Sequence, residues 1–144
     1  MNRPTSTVGV HLKMFNASTP DQLDAAFAAI AGERPDGLLV GADPFLINRI
    51  NELVTFATRL RIPAAYPNRA YVDAGGLMSY GTDVATVYRQ AAVYAGRILK
   101  GEKAADLPVT RPTTFELVVN LRAAKMIGVT VPISMQFLAN EVIE

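Results

Sequence analysis

Asp36-Gly37-Leu38-Leu39-Val40-Gly41 is the stretch that decides the fold, because it is a short continuous apolar run with a turn residue at each end. A run of this kind predicts a strand covered on both faces, as strands of parallel sheets are. Asp43-Pro44 follows it with the cap and the proline that begin helices. Apolar residues then recur at helical spacing and predict an inward face made of Leu46, Ile47, Ile50, Leu53, Val54 and Ala57.

The alternation of strand and helix continues on both sides of this stretch. Upstream, alternating apolar residues predict a half-buried strand over residues 8–14, and a helix follows from the Thr19 cap to Gly32. Downstream, we expect strands over residues 62–66 and 76–80. A long helix from Asp83 to Lys100 comes next, with Val84, Val87, Ala91, Tyr94 and Ile98 predicted on one shared face. Strands separated by helices indicate βαβ units, so the predicted fold class is α/β, a Rossmann-like parallel sheet with helices on both faces.

The pattern changes at residues 107–112, a stretch with two prolines that is the best candidate for a hinge or crossover. Beyond it we expect a strand over residues 113–119 and a short helix between the Asn120 cap and Gly128. A terminal helix is predicted over residues 134–142.

Composition limits the classes of protein that fit. The chain has 144 residues, 50% hydrophobic and 19% charged, which predicts one folded domain and excludes disorder. Its net charge of +1, with scattered Lys and Arg, argues against a nucleic-acid partner. The absence of cysteine excludes disulfides and thiolate chemistry. The apolar runs are far shorter than the roughly 18–20 residues of a membrane span.

Motifs for catalysis are missing from the sequence. It contains no GxxxxGK[ST] loop, GxGxxG turn or GxSxG elbow, and Asn16-Ala17-Ser18 supplies no pair of acids for a phosphoacceptor. His11 is the single histidine and is interpreted as a surface residue. We therefore predict no enzyme activity, no catalytic residue, no metal and no cofactor.

Three segments are predicted to follow strands at one edge of the sheet: residues 41–45, 66–69 and 79–83. Ligands of open parallel sheets bind at this edge. A carboxylate, a guanidinium, hydroxyl groups and aromatic faces together suit a small zwitterion. The predicted ligand-binding residues are Asp43, Tyr66, Arg69, Ser79, Tyr80 and Gly81.

Each of these residues also has an ordinary structural interpretation. Asp43 before Pro44 is a common helix cap, and Asp83 is interpreted as a cap in preference to a ligand contact. Tyr66 fits the end of a buried strand, and Arg69 fits a solvated surface charge. Tyr80 is the strongest single candidate for the site.

Five segments follow one another in a distinctive order along the chain: Gly75-Gly76-Leu77-Met78-Ser79-Tyr80-Gly81, Tyr88-Arg89-Gln90-Ala91-Ala92, Ile98-Leu99-Lys100-Gly101, Ala105-Asp106-Leu107-Pro108-Val109 and the stretch over residues 112–125. This series resembles one family of ABC-transporter substrate-binding proteins, the tryptophan/tyrosine type with the type I periplasmic-binding-protein fold. The similarity covers residues 8–144 and is specific as an ordered series.

The resemblance implies two Rossmann-like lobes that clamp a small solute, an aromatic or another amino acid, and deliver it to a membrane permease. Residues 1–108 would then be the C-terminal ligand-binding lobe, and residues 109–144 a crossover strand with terminal helices. An N-terminal lobe would be missing. The parent protein would be periplasmic, with its signal peptide upstream of this chain.

Two other functions remain open at this point. The runner-up is the effector-sensing lobe of a transcriptional regulator with the same fold, and the third is a flavodoxin-like enzyme lobe, for which no phosphate loop is found. We also expect a homodimer or a swapped tail at high protein concentration, because a lobe without its partner exposes apolar surface. The tail over residues 112–144 is the expected source.

Overall fold

A computed structural model describes residues 9–144. The chain forms two compact units, Met1–Pro35 and Asp36–Glu144. The first contains helix α1, and the second contains the sheet and all other helices. The helices are α1 (Pro20–Glu33), α2 (Pro44–Ile47), α3 (Ile50–Leu60), α4 (Arg69–Asp73), α5 (Val84–Leu99), α6 (Leu121–Ile127) and α7 (Ile133–Leu138), with a short 3-10 turn at Ala104–Asp106. The strands are β1 (Leu38–Leu39), β2 (Ala64–Tyr66), β3 (Met78–Thr82), β4 (Phe115–Asn120) and β5 (Glu141–Ile143).

The five strands form one sheet in the order β1-β2-β3-β4-β5. Strands β1, β2 and β3 are mutually parallel, as predicted for this part of the chain. Strand β4 runs antiparallel to β3, and β5 is parallel to β4, so the complete sheet is mixed. The α/β fold class is confirmed, with helices around the sheet.

The predicted helix caps at Thr19 and Asn120 form as the sequence indicates, whereas α1 continues past the predicted end at Gly32 to Glu33, and Arg34 is its left-handed C-cap at φ 48°. Thr19 accepts a hydrogen bond from the Gln22 amide at 3.3 Å, and the Gln22 side chain accepts one from the Ser18 amide at 2.8 Å. Asn120 caps α6 by accepting from the Ala123 amide, and Gly128 ends that helix at φ 79°. These bonds close within four residues, so local sequence is sufficient to predict them.

The strand predicted over residues 8–14 is wrong for the described part of that segment. Val10 forms an isolated bridge, and residues 11–17 have no regular secondary structure. Leu12 and Met14 are exposed. An alternating pattern becomes a strand only where a neighbouring strand supplies a hydrogen-bonded ladder.

Strand β1 is covered on one face only. Val40, directly after it, is buried, but Leu39 is 73% exposed. β1 lies at the edge of the sheet. An apolar run marks a strand without stating how many of its faces are covered, and the prediction of cover on both faces is therefore wrong here.

The terminal helix predicted over residues 134–142 is also wrong in its second half. Helix α7 ends at Leu138, and Ala139 is extended. The Asn140 side chain accepts a hydrogen bond from the Leu117 amide at 2.8 Å, and the Asn140 amide donates to the Leu117 carbonyl. Pairing with β4 then makes β5 a strand, a long-range effect that overrides local helix propensity.

Helix α5 has the predicted length and caps, but the apolar face that its residues share is not buried. None of its residues is buried, and Val84, Val87 and Ile98 are exposed. Its hydrogen bonds to other segments reach the chain that follows it, as Tyr94 donates to the Pro108 carbonyl and Gln90 to Thr110, both at 2.8 Å. Periodicity identified an apolar face, whereas burial needs a surface to cover it.

Among the described residues, no helix is both long and apolar enough to cross a membrane.

The buried core of the second unit lies between the sheet and helices α3, α4 and α6. Leu77 and Val119 pack with Ile127 in one cluster. The α3 residues Leu53 and Val54 are also buried. The predicted helix after Asp43 is divided into α2 and α3, and its buried residues all belong to α3.

We predict that Leu53→Ala lowers the free energy of unfolding by about 2–5 kcal/mol, because it leaves a cavity at a side chain that is only 5% exposed. Leu99→Ala is the matched control, because Leu99 is 88% exposed, and a change within about 0.5 kcal/mol is expected. Urea unfolding of both variants measures the difference. Equal losses would contradict the assignment of the core.

Candidate functional site

The carboxyl ends of β1, β2 and β3 lie at one edge of the sheet, because the three strands are parallel neighbours. Residues 41–45, 66–69 and 79–83 follow or end these strands. We refer to these three segments together as the rim. Helices α2, α4 and α5 all begin at the rim, so their N-terminal amides are near it.

Gly81 determines how closely two rim segments approach. A side-chain carbon at this position would lie 1.9 Å from the Pro67 carbonyl oxygen, which is impossible without movement of the backbone. Gly81 thus allows the chain after β2 to pack directly against β3. The rim residues Pro67 and Asn68 are positioned by this contact, and Asn68 then caps α4 by accepting from the Ala70 amide at 3.1 Å.

Asp43 is a helix cap, as its ordinary interpretation predicts. Its Oδ1 atom accepts from the Phe45 amide at 2.7 Å and from the Leu46 amide at 3.3 Å. Both bonds use the same oxygen, and within the described residues Oδ2 has no hydrogen bond. The carboxylate is exposed, so one of its oxygens stays available for a cation at the rim.

Tyr66 is a buried residue of the rim. It is 2% exposed, and its ring stacks on that of Tyr71 with centroids 4.8 Å apart. Burial, followed by the influence of Tyr71, raises the pKa of Tyr66 to about 12. Gly76 makes room for this stack, because a side-chain carbon there would lie 2.7 Å from the Tyr66 ring. The geometry favours the packing interpretation of Tyr66.

Tyr71 carries a polar group that is unsatisfied within the described residues. The side chain is fully buried, and its hydroxyl has no hydrogen-bond partner there. Burial and then the negative charge of Asp43 raise the pKa of Tyr71, which places the Asp43 carboxylate in the electrostatic neighbourhood of this ring.

Tyr80 is the most accessible aromatic residue of the rim, at 62% exposed. Its ring stacks on Phe115, which is 48% exposed, with centroids 5.8 Å apart and an angle of 17° between the planes. Phe115 lies opposite Thr82 in the antiparallel pairing, so it is diagonal to Tyr80 on the same sheet face. The two rings form an open aromatic surface.

Arg69 is held by three carboxylates. Nη1 and Nη2 contact Glu141 at 2.5 and 2.8 Å, Nε lies 3.3 Å from Asp73, and Nη1 lies 3.5 Å from Glu116. Hydrogen bonding to Arg69 lowers the pKa of Glu141. A carboxyl with a lowered pKa in the folded state stabilises the fold at neutral pH, and this contribution is lost as the pH falls through the folded pKa.

Ser79 and Asp83 both have structural positions in the rim. Ser79 is buried, and Tyr66 is its register partner on β2. Asp83 caps α5 through the Ala85 amide at 2.9 Å and also accepts from the Thr86 hydroxyl, which confirms its interpretation as a cap. These bonds lower the pKa of Asp83.

A depression of about 520 Å³ lies beside the rim, lined by residues 47–52 of the α2–α3 junction and by Ala70 and Ala74 of α4. The Arg49 guanidinium lies 4.0 Å from the centre of the Phe45 ring at this junction. The described residues contain no group of three or more His, Asp or Glu side chains placed to bind a metal ion.

Residues 5–143 match the ABC transporter substrate binding protein family. The chain belongs to this family. The match runs through the whole rim and through the segment that carries β4 and β5, so both parts of the sheet belong to the family's pattern. A comparison with curated proteins found no match.

Solved structures support the same fold. A conserved domain protein from Vibrio cholerae O1 biovar El Tor matches with a TM-score of 0.86 and 26% identity over 95% of this chain. The ABC domain from Streptococcus pneumonia in complex with L-Trp matches with a TM-score of 0.85 and 24% identity over 96% of this chain. A Clostridium difficile substrate-binding protein with adhesive properties, in its ligand-free open form, matches with a TM-score of 0.63 and 21% identity over 96%. This chain spans 46%, 48% and 46% of those three chains.

Sequence reasoning missed four residues that contact the rim: Tyr71, Phe115, Glu116 and Glu141. Tyr71 belongs to α4, a five-residue helix that no periodicity indicates. The other three lie on β4 and β5, whose pairing brings them to the rim from distant sequence. The Asn68 cap was the one local signal for α4.

We predict that Gly81→Ala destabilises the protein by about 1–3 kcal/mol, because the added carbon would overlap the Pro67 carbonyl. Gly96→Ala in α5 is the control. Its added carbon meets nothing within 4 Å, and Ala in a helix interior is favoured by roughly 0.5–1 kcal/mol. Thermal and urea unfolding compare the two, and a neutral Gly81→Ala would show that the two segments do not touch.

Proposed function

We propose that this chain is the C-terminal lobe of the solute-binding receptor of a bacterial ABC importer. The observation that carries the proposal is the rim, where an exposed carboxylate and an open aromatic pair lie at the carboxyl ends of parallel strands in a chain of the substrate-binding family. The solute is a small zwitterion, an aromatic or another amino acid, bound in a cleft between two lobes. The L-Trp complex of the Streptococcus protein supports the aromatic class.

The rim residues divide into contacts and supports. Asp43 accepts the ammonium group through Oδ2, Tyr80 with Phe115 presents a ring surface to an apolar side chain, and the Gly81 backbone lines the cleft. Tyr66 and Ser79 lie beneath these contacts and hold them in place. Arg69, a predicted ligand contact, has its donors directed at carboxylates, and we argue a different role for it below.

The exposed surface of α5 supports a second lobe in the parent protein. A helix that is apolar around most of its circumference is normally buried. Ala85, Tyr88, Ala92, Val93 and Leu99 extend the apolar surface of α5 beyond the face predicted from its periodicity, and all are exposed. The matched structures are about twice as long as this chain, so their additional length is sufficient for another lobe. We propose that an N-terminal lobe covers α5 and that residues 109–144 carry the crossover back into this sheet.

The family favours a transport receptor over the effector-sensing lobe of a transcriptional regulator. A transport receptor implies a membrane permease as partner and a position outside the cytoplasmic membrane, which is the periplasm in a bacterium with two membranes. We propose both for the parent protein. A cleft that binds and releases its solute unchanged needs no catalytic residue, metal or cofactor.

We predict that this chain binds L-tryptophan weakly, at roughly millimolar concentration. An intact receptor with a dissociation constant of about 1 μM has about −8 kcal/mol of binding free energy, and half of that corresponds to about 1 mM. In an NMR titration, amide shifts are expected at Asp43, at residues 66–69 and at residues 79–81. Sub-micromolar binding would mean that one lobe holds a complete pocket and would overturn the two-lobe proposal.

Asp43→Asn provides the matched variant, because Asn also caps helices but carries no charge. It should weaken L-tryptophan and leave indole-3-propionate, which lacks the ammonium group, unaffected. Tyr80→Ala should weaken both ligands. If Asp43→Asn binds L-tryptophan as the unchanged chain does, the ammonium assignment fails.

We also expect this chain to self-associate through α5 and through the exposed tail residues Phe137 and Leu138 when no other lobe is present. Light scattering at increasing concentration measures the mass. Tyr88→Glu should shift the protein towards the monomer, whereas Arg89→Glu on the polar side of α5 should not. A strict monomer at high concentration would contradict this expectation.

A further inference from the structure

Arg69 joins three elements of the fold. It is the first residue of α4, Glu116 lies on β4, and Glu141 lies on β5, 72 residues later in the chain. The contact with Glu141 uses both Nη atoms, which is the bidentate geometry that only a guanidinium provides. Nε faces Asp73 at 3.3 Å. A solute carboxylate would have to displace one of these acids in order to reach Arg69.

Strand β5 depends on few attachments. It has three residues, all half-buried, and pairs with β4 through Val118 to Asn120. Asn140 adds two hydrogen bonds to Leu117. The Arg69–Glu141 pair links β5 to the rim, and removal of either charge leaves the strand held by its short ladder, by Asn140 and by its contact with α6.

The other end of this link is the rim segment over residues 66–69. Pro67 packs against Gly81, and Glu116 is the register partner of Gly81 on β4. Arg69 therefore extends over the sheet from a segment whose backbone already touches β3. Arg69 thus lies on a continuous path of contacts that runs from β5 through Asn68 and Pro67 to Gly81.

We infer that Arg69 is a positioning residue that couples attachment of the C-terminal strand β5 to the shape of the rim, and that it does not contact the solute. The effect on solute binding rests on the proposed function of the rim. The coupling between β5 and the rim does not, and it can be measured in the ligand-free chain. Attachment of the last strand thereby affects the affinity of the rim for the solute.

Ligand-free NMR of the 144-residue chain tests the coupling. Glu141→Gln removes the partner charge on β5, and Arg69→Lys keeps the positive charge but loses the bidentate geometry. Both should shift the amides of Asn68, Ala70 and Gly81. Asp73→Asn is the matched control, because it removes an acid from the same guanidinium without touching β5, and it should leave Gly81 and β5 unshifted.

Two outcomes would overturn the inference. Shifts confined to residues 139–143 and to Val118 in both Glu141→Gln and Arg69→Lys would mean that the rim does not sense β5. Equal shifts of Gly81 in Asp73→Asn and Glu141→Gln would mean that charge alone is responsible. If Glu141→Gln fails to fold, Arg69→Lys gives the same readout with the charge retained.

An L-tryptophan titration separates this inference from the proposed function. If the unchanged chain binds, Glu141→Gln should weaken binding by about fivefold, the lower end of coupling between sites, and Asp73→Asn should not change it. Unchanged affinity in Glu141→Gln would contradict an effect of β5 attachment on solute binding. Absence of binding in the unchanged chain would count against the proposed function, while the ligand-free shifts would still decide the coupling.

Discussion

Strand β4 pairs with β3 through five consecutive residues, from Met78 opposite Val119 to Thr82 opposite Phe115. About 30 residues of helix and link separate the two strands in sequence, so this antiparallel ladder is what returns the chain to the sheet. Phe115 reaches Tyr80 because of this register, and Glu116 reaches Arg69 for the same reason. β5 can form only because β4 offers it an edge.

Close approach on one side of β3 and charge balance on the other side together shape the rim. Gly81 has no side chain, so the Pro67 carbonyl can pack on β3, and Arg69 is then placed between carboxylates of β4 and β5. Glu116 and Glu141 lie diagonally on neighbouring strands, so their like charges repel each other. The guanidinium offsets this repulsion. Arg69, which the sequence predicts as a ligand contact, thus forms ion pairs with acidic side chains of the protein itself.

Helix α5 shows the opposite situation, in which local structure is complete but packing is not. Its Asp83 cap and its length agree with the sequence, yet its apolar residues are exposed. Most helical stability in proteins comes from a packed face. The proposed second lobe would cover the apolar face of α5. Closure of the two lobes would enclose the rim and exclude water from the solute.

The sequence by itself determined the features that close within a few residues: the caps at Thr19, Asp43, Asp83 and Asn120, the turn at Gly128, and the alternation of strands and helices that gives the α/β class. It also brought Asp43, Tyr80 and Gly81 to one edge, because parallel strands place their carboxyl ends together. The sequence segments around β3 and β4 were sufficient to identify the family.

Only the tertiary structure decided which residues at that edge are accessible. Tyr66 is buried by its stack with Tyr71, and Arg69 is engaged by Glu141, a partner 72 residues away. The last residues form a strand instead of a helix for the same reason. Burial, register and long-range ion pairs depend on which segments meet in space, and a pattern read along one segment carries no information about its distant neighbours.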